Sequence, residues 1–124
     1  MLPEKNRLKK QKDFDSLFKN ANTAYTKNFI MKAVPNNEDA SRFAFMVSKK
    51  VSKRAVDRNR IRRQIRELIR LNLENITPGF DILIIVKATP TTLELKYNEI
   101  EKQVLFCLKK LRLQATSYKL QAKK

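Results

Sequence analysis

The chain has 124 residues, of which 28 are Lys or Arg and 12 are Asp or Glu, and its formal net charge is +16 at pH 7. This length suits one small domain, and a hydrophobic content of 42% excludes an intrinsically disordered chain. The excess of positive charge points to a polyanionic partner and opposes folding through self-repulsion. We therefore expect bound anions or raised salt to stabilise the protein.

The sequence carries no targeting or membrane signal that we recognise. Residues 1–12 contain no apolar stretch of the signal-peptide type, and no segment approaches the roughly 18 apolar residues of a membrane span. Cys107 is the single cysteine, which excludes an intramolecular disulfide and predicts a buried thiol on a helix. We expect a cytoplasmic protein that has no membrane partner.

The first third of the chain predicts one helix and two strands. Phe14, Leu17 and Phe18 follow helical spacing within a helix over residues 10–21, and polar turn formers fill residues 20–28. Residues 29–34 read as a strand that stops at Pro35, and residues 42–47 read as a second strand. The short polar connection between these two strands favours their pairing as antiparallel neighbours.

A long helix over residues 55–73 has two distinct faces. Its apolar arc consists of Ile61, Ile65, Leu68, Ile69 and Ile76. An adjoining arc consists of Asn59, Arg62, Arg63, Arg66 and Arg70. The helix is therefore predicted to bury one side and to present guanidinium groups from the other. Residues 77–79 end it, and Gly79 is the only glycine in the sequence.

The remaining elements complete an α+β domain. Residues 81–87 are almost continuously apolar, which is typical of a central strand covered on both faces. Together with the strand and helix before it, this strand forms a βαβ unit, so it should run parallel to the strand at residues 42–47. Residues 97–111 follow the pattern of a last amphipathic helix, and residues 114–124 read as a flexible tail. We predict a single domain over residues 1–124.

The residues needed for a self-contained catalytic site are missing from the sequence. There is no histidine, and the single cysteine and single glycine exclude a zinc site and a glycine-rich phosphate loop. The acidic residues show no spacing of paired catalytic carboxylates. If the protein takes part in a reaction, another molecule must supply the reactive centre, and we expect no cofactor on the protein alone.

Residues 49–70 hold ten basic residues and two acidic ones. The six basic residues on the long helix are all arginines, whose forked guanidinium groups hold phosphates and stack on bases. A merely solvated helix face would mix lysine and glutamate. RNA is favoured over DNA, because no helix-turn-helix or zipper pattern is present. Phe14 and Phe18 are either core residues or, for at least one ring, the edge of a cleft that stacks on unpaired bases.

The motifs VSKK at 47–50, RNRIRR at 58–63 and RE at 66–67 resemble the signature of the bacterial ribonuclease P protein family, which contains an RNR motif. NRL at 6–8, DF at 13–14, Arg42, and DI at 81–82 extend the resemblance over most of the chain. It implies a small mixed β-sheet packed with three helices in the order α-β-β-β-α-β-α. It also implies a left-handed crossover in the βαβ unit, against the general right-handed rule.

The resemblance further implies a protein that binds a large catalytic RNA and helps it to remove the 5′ leader from precursor tRNA. The RNA would perform the hydrolysis with Mg²⁺ ions. The implied partners are therefore the catalytic RNA and precursor tRNA, without DNA.

Two sets of site residues follow from the resemblance. Contacts with the catalytic RNA are expected from the RNR region and its flanks, namely Lys49, Lys50, Lys53, Arg54, Arg58, Asn59, Arg60, Arg62, Arg63, Arg66 and Arg70. The leader is expected in a cleft between the first helix and the sheet, lined by Lys10, Phe14, Phe18 and Lys32. Ala44 and Ser52 stand where the family often has glycine, and Lys32 stands where relatives can carry tyrosine. Contact at Lys32 is thus expected to be electrostatic.

Two other functions stay open at this point. A structural RNA-binding protein of the ribosomal type would share the size, the charge and a related βαβ architecture. A protein-only nuclease with carboxylate-bound Mg²⁺ would act without any catalytic RNA.

Overall fold

The computed structural model describes residues 2–113, and the predicted tail at residues 114–124 lies outside them. Within the described range the order of helices and strands is α1 (Gln11–Asn20), β1 (Asn22–Tyr25), β2 (Phe29–Pro35), β3 (Arg42–Val47), α2 (Ala55–Leu71), β4 (Phe80–Val86) and α3 (Tyr97–Lys110). Short 3-10 turns occur at Glu4–Asn6, Leu73–Asn75 and Thr92–Glu94. The predicted α+β class and the order α-β-β-β-α-β-α are confirmed.

The four strands form one mixed sheet in the order β1-β2-β4-β3. β2 is antiparallel to both β1 and β4, whereas β3 and β4 are parallel. The parallel pairing of β3 with β4 and the inner position of β4 are confirmed. The prediction that β2 and β3 are neighbours is wrong, because β4 lies between them. The left-handed path of the β3-α2-β4 crossover stays a prediction.

β1 lies inside the segment at residues 20–28 that we predicted to be a turn. Of its four residues only Ala24 is buried, so the strand shows almost no apolar alternation in the sequence. Its structure depends instead on a four-residue antiparallel register with β2, from Asn22 opposite Ala33 to Tyr25 opposite Ile30. An edge strand of this kind is set by its partner strand more than by its own sequence.

The main core lies between one face of the sheet and the helices α2 and α3. Alternate residues of the inner strands point into it, and those at most 1% exposed are Phe29, Met31, Ile82 and Ile84. The helix α2 contributes the predicted apolar residues Ile61, Ile65, Leu68 and Ile69. Each such side chain stabilises the fold by about 1.5–3 kcal/mol through burial. α2 is thereby fixed to the sheet along one side.

α2 ends at Leu71 and not at residue 73 as predicted. Ile76 is buried as expected, but it follows the helix, beyond the 3-10 turn Leu73–Asn75. Gly79 then has a φ of 91°, a left-handed conformation that glycine adopts at little cost, and the chain turns there into β4. The backbone N–H of Asn36 donates to the carbonyl oxygen of Gly79 at 2.9 Å, which joins the connection after β2 to this turn.

The opposite face of the sheet is only partly covered. α1 packs there through a smaller cluster around Leu8, Leu17 and Leu83. The next row of side chains on this face runs across all four strands and is still partly exposed to solvent. The register of the sheet places in that row Tyr25, Ile30, Ile85 and Met46. The sheet therefore has a closed face under α2 and α3 and a half-open face beside α1.

Three charged side chains fasten α1 to the sheet. The Nε and Nη2 atoms of Arg42 each donate to one carboxylate oxygen of Asp81 at 2.8 Å, and Arg42 Nη1 lies 3.5 Å from Asp13 Oδ2 on α1. The hydrogen bond to Asp81 raises the pKa of Arg42 above its ordinary value. Because Asp81 is only 3% exposed, this pair is a buried part of the framework and not a surface ion pair.

Candidate nucleic-acid interface

The start of α2 is held by side chains of the preceding loop. Ser52 Oγ accepts a hydrogen bond from the Arg54 backbone N–H at 3.1 Å and donates to Asp57 Oδ2 at 2.9 Å. Arg58 Nη1 donates to the Ser52 carbonyl oxygen at 2.8 Å. Ser52 therefore contributes hydrogen bonds that order the first turn of α2. Lys49, Lys50 and Lys53 are exposed in the same loop.

The arginines of α2 divide between the two sides of the helix. Arg62 points toward β3, where its Nη1 donates to Asn59 Oδ1 at 2.8 Å and its Nη2 donates to the Val47 carbonyl oxygen at 3.3 Å. Arg60 points the other way and donates to the Leu93 carbonyl oxygen at 3.1 Å. The RNRIRR segment at 58–63 thus presents its guanidinium groups over a wide angle and not as one flat row.

Most of these guanidinium groups have no acidic partner. Within residues 2–113, no carboxylate oxygen lies within 4.0 Å of a side-chain nitrogen of Arg58, Arg60, Arg62, Arg63 or Arg66. Arg70 differs, because its Nε and Nη2 atoms both donate to the carboxylate of Glu67, with Nε 3.0 Å from Oε2. Arg54 Nε lies 3.9 Å from Asp57 Oδ2. Guanidinium groups that lack an acidic partner are suited to bidentate contact with phosphate.

The four predicted cleft residues lie at different places along the half-open face. Phe18 is 54% exposed at the end of α1, whereas Phe14 is partly buried against the Leu17 cluster. Lys32 lies on the same face of the sheet, half-buried, and its Nζ donates to Thr23 Oγ1 at 3.4 Å. Lys10 precedes the first turn of α1 and so lies roughly 12 Å from Phe18 along the helix axis. Phe18 and Lys32 therefore border the open part of this face, and Lys10 lies at its far end.

Two exposed residues in these regions were missed from the sequence. Tyr25 is 62% exposed and ends the partly exposed row of the half-open face. Because its strand was predicted to be a turn, no pattern placed it there. Arg7 entered the prediction only within the NRL motif, yet it forms a parallel bridge with Phe43 and lies beside β3. No periodicity in the sequence brings residue 7 next to residue 43.

Other chemical features of the described chain are few. None of the helices within residues 2–113 is long and apolar enough to cross a membrane. Over the same range, no group of three or more His, Cys, Asp or Glu side chains is arranged to hold a metal ion. Cys107 is fully buried, as predicted, and desolvation raises the pKa of its thiol to about 11. Cys107 is therefore part of the core packing of α3.

The fold and the distribution of charge define a small α+β protein that binds nucleic acid. The sequence model of the family described as Ribonuclease P matches residues 2–112. The ribonuclease P protein component of Alkaliphilus oremlandii is 38% identical over 108 residues, which are 87% of this chain and 92% of that protein. The chain belongs to the ribonuclease P protein family.

Solved structures agree with this assignment. A mutant RNase P protein of Staphylococcus aureus superposes with a TM-score of 0.80 at 28% identity, covering 89% of this chain and 91% of that one. The RNase P protein of Thermotoga maritima gives a TM-score of 0.75 at 29% identity, covering 84% and 96%. As a family member, the chain is an RNA-binding protein of a ribonucleoprotein that processes tRNA.

Proposed function

We propose that this protein binds the catalytic RNA of a bacterial, cytoplasmic ribonuclease P, and that the RNA carries out the hydrolysis. The observation that supports this most directly is the set of arginines on α2 that have no acidic partner, on a helix whose other side is fully buried. Because packing fixes the backbone of α2, only the arginine side chains lose conformational freedom when they bind phosphates. The proposal assigns the Mg²⁺ ions of the reaction to the RNA, and none to residues 2–113.

We also assign the 5′ leader of precursor tRNA to the half-open face of the sheet. Phe18 supplies an exposed ring there, Lys32 supplies a cation, and the row that ends at Met46 supplies apolar contact. Unpaired nucleotides are bound by this combination of aromatic stacking and positive charge. Duplex RNA would not fit this assignment as well, because stacking on a side chain requires bases that are free of pairing.

The edge strand β3 connects the two surfaces. On one side its last residue, Val47, accepts a hydrogen bond from Arg62 of α2. On the other face its neighbour Met46 ends the partly exposed row beside α1. A leader on that face and a catalytic RNA on α2 would therefore meet at β3. This supports a protein that raises the affinity of the holoenzyme for precursors carrying a leader.

Reconstitution tests the proposed function. The protein is added to a bacterial ribonuclease P RNA at low Mg²⁺, and release of the 5′ leader from precursor tRNA is measured. We expect the protein to restore cleavage that the RNA alone performs poorly under these conditions. Absence of any stimulation would favour a structural RNA-binding protein of the ribosomal type.

A second arm of the experiment omits the catalytic RNA. We expect no cleavage of precursor tRNA by the protein alone after stringent removal of RNA. Activity that survives this treatment would establish a protein-only nuclease and overturn the proposal.

A further inference from the structure

A pocket of about 300 Å³ lies between the N-terminal segment, the edge strand β3 and the helix α2. It is lined by Leu2, Arg7, Phe43, Phe45 and Arg66. Three of these side chains are apolar, and the other two carry guanidinium groups. The volume is at the lower end of the range for small-ligand sites, so the pocket suits a group the size of one nucleobase and not an extended strand.

The N-terminal segment holds the pocket in place. The backbone N–H of Leu8 donates to the Phe43 carbonyl oxygen at 2.9 Å, and Arg7 forms a bridge with the same residue. Leu2 is 2% exposed and belongs to the main core. The segment is therefore anchored at both of its ends, and the side chain of Arg7 extends from a fixed backbone.

The two guanidinium groups of the pocket form few hydrogen bonds within the described chain. Arg7 Nε donates to the Leu2 carbonyl oxygen at 3.0 Å, which leaves its two Nη atoms without a protein acceptor in the described chain. Arg66 has neither a hydrogen bond nor an ion pair with any residue from 2 to 113. Two cations at one pocket, in a chain of net charge +16, repel each other unless an anion lies between them.

The chemistry of the lining selects the ligand. Phe45 is only partly buried, so part of its ring is available to the pocket. An aromatic ring together with guanidinium planes is the combination that binds unpaired RNA bases, while the guanidinium groups also hold the flanking phosphates. Leu2 and Phe43 are already buried in the core, so the ring of Phe45 is the apolar group still open to a ligand, and a free phosphate would use the arginines but leave that ring without a partner.

We propose that this pocket receives one unpaired nucleobase of the catalytic RNA. The base contacts the ring of Phe45, and Arg7 and Arg66 hold the phosphates on either side of it. This inference rests on the proposed function and deepens it, because it adds to the arginine surface of α2 a position that reads an extruded base. It also gives Arg7, which lies far from the RNR motif in sequence, a direct part in RNA binding.

The test compares Phe45→Leu with Phe106→Leu in the full-length protein. Phe106 is 52% exposed on α3 and is the matched control. Affinity for the catalytic RNA is measured together with chemical probing of every unpaired base in the complex. Removing a ring on which a base stacks lowers the affinity by about 5- to 150-fold. We expect Phe45→Leu to lower the affinity for the catalytic RNA at least about fivefold and to expose one or two bases that the wild-type protein protects. Phe106→Leu should change neither the affinity nor the protection.

A second variant addresses the phosphate contacts and does not remove packing from the core. Arg7→Gln combined with Arg66→Gln should lower the affinity and reduce the salt dependence by about one to two counterions, because two phosphate contacts are lost. Lys109→Gln, an exposed charge on α3, should leave the protection of those bases unchanged. If Phe45→Leu does not fold at the assay temperature, this double variant decides the question through the same base probing.

The outcomes separate the inference from the proposed function. If both pocket variants bind the RNA as the wild type does, with the same protected bases, the pocket has another occupant and the inference is wrong, while reconstituted cleavage still supports the proposed function. If the wild-type protein neither binds the RNA nor stimulates cleavage, both fail together.

Discussion

Phe14 and Phe18 lie one helical turn apart on α1, and their different exposure gives them different roles. Periodicity places both rings on the apolar face of the helix and cannot show where that face passes the edge of the sheet. Phe14 contacts the cluster around Leu17, and Phe18 extends beyond it. Of the two, Phe18 therefore tests leader binding without a large effect on packing.

We expect Phe18→Ala to weaken binding of precursor tRNA with a leader by about 1–3 kcal/mol, because it removes one base-stacking surface. Binding of mature tRNA and the thermal midpoint should stay close to the wild-type values. Dissociation constants of the reconstituted holoenzyme for the two RNAs provide the measurement, and Phe106→Ala on the other face of the sheet is the control. Equal losses for precursor and mature tRNA would show that the leader lies elsewhere.

Phe14→Ala should behave differently. Its ring is partly buried, so its loss should lower the free energy of unfolding as well as weaken binding of the leader. Denaturant unfolding of the free protein separates the two effects. A Phe14→Ala protein of wild-type stability would contradict the packing of α1 described above.

The pair formed by Arg42 and Asp81 is a second residue-scale case. Asp81→Asn leaves the guanidinium of Arg42 with a weaker acceptor in a mostly buried position, and Asp13 at 3.5 Å compensates only in part. We expect a loss of about 3 kcal/mol in the free energy of unfolding, at the lower end of values for a broken buried pair. Urea unfolding measures it, with Glu67→Gln as a control, since the Arg70–Glu67 pair is solvent-exposed. Similar urea midpoints for Asp81→Asn and Glu67→Gln would mean that the buried pair contributes no more to stability than a surface pair.

At the scale of elements, the long and strongly periodic segments were predictable and the short paired ones were not. The buried residues of α2 are those of the predicted apolar arc, because a helix shows its packing face in its own sequence. β1 and the position of β4 between β2 and β3 depend on pairing with distant residues. A short connection favours neighbouring strands only when no other strand is inserted between them, and sequence spacing cannot report that insertion.

The same distinction applies to the candidate site. The arginine face of α2 follows from local spacing; in the structure Asn59, Arg63 and Arg70 are exposed, whereas Arg62 and Arg66 are partly buried. The pocket beside β3 combines residues 2 and 7 with residues 43, 45 and 66, and no local pattern connects them. The RNR motif therefore predicts which helix binds the RNA, while tertiary contacts determine which other groups lie beside that helix.

We expect Arg63→Ala to weaken binding to the catalytic RNA and to reduce the slope of log K against log salt concentration by about 1, as for one lost phosphate contact. Arg63 is exposed on α2 and forms no ion pair with the rest of the described chain, so its removal should leave the fold intact. Arg58→Ala and Arg62→Ala should lower the affinity as well, but both also break hydrogen bonds to the backbone. A salt titration of the binding constant gives the measurement, and Lys109→Ala is the control. An unchanged slope for Arg63→Ala would place the RNA on another face.

For the molecule as a whole, charge is the dominant feature. Basic residues outnumber acidic ones by 28 to 12 in the chain, and residues 2–113 form only five ion pairs. The arginines of α2 are therefore held close to one another with little compensation from carboxylates. Folding brings these charges together, and the unfolded chain can separate them, so their repulsion lowers the free energy of unfolding.

A polyvalent anion that binds the folded protein should reverse this effect. We expect sulfate to raise the thermal midpoint, by about 5 °C when its concentration is ten times its dissociation constant, since such binding stabilises the folded state by about 1.4 kcal/mol. Sodium chloride at equal ionic strength is the control, because chloride screens the charges and does not bridge two guanidinium groups. An unchanged midpoint in sulfate would show that repulsion among the arginines costs the fold little. A thermal midpoint that is higher in sulfate than in chloride would identify specific anion sites. A smaller increase in sulfate for the Arg7→Gln/Arg66→Gln variant would locate one of these sites at the pocket beside β3.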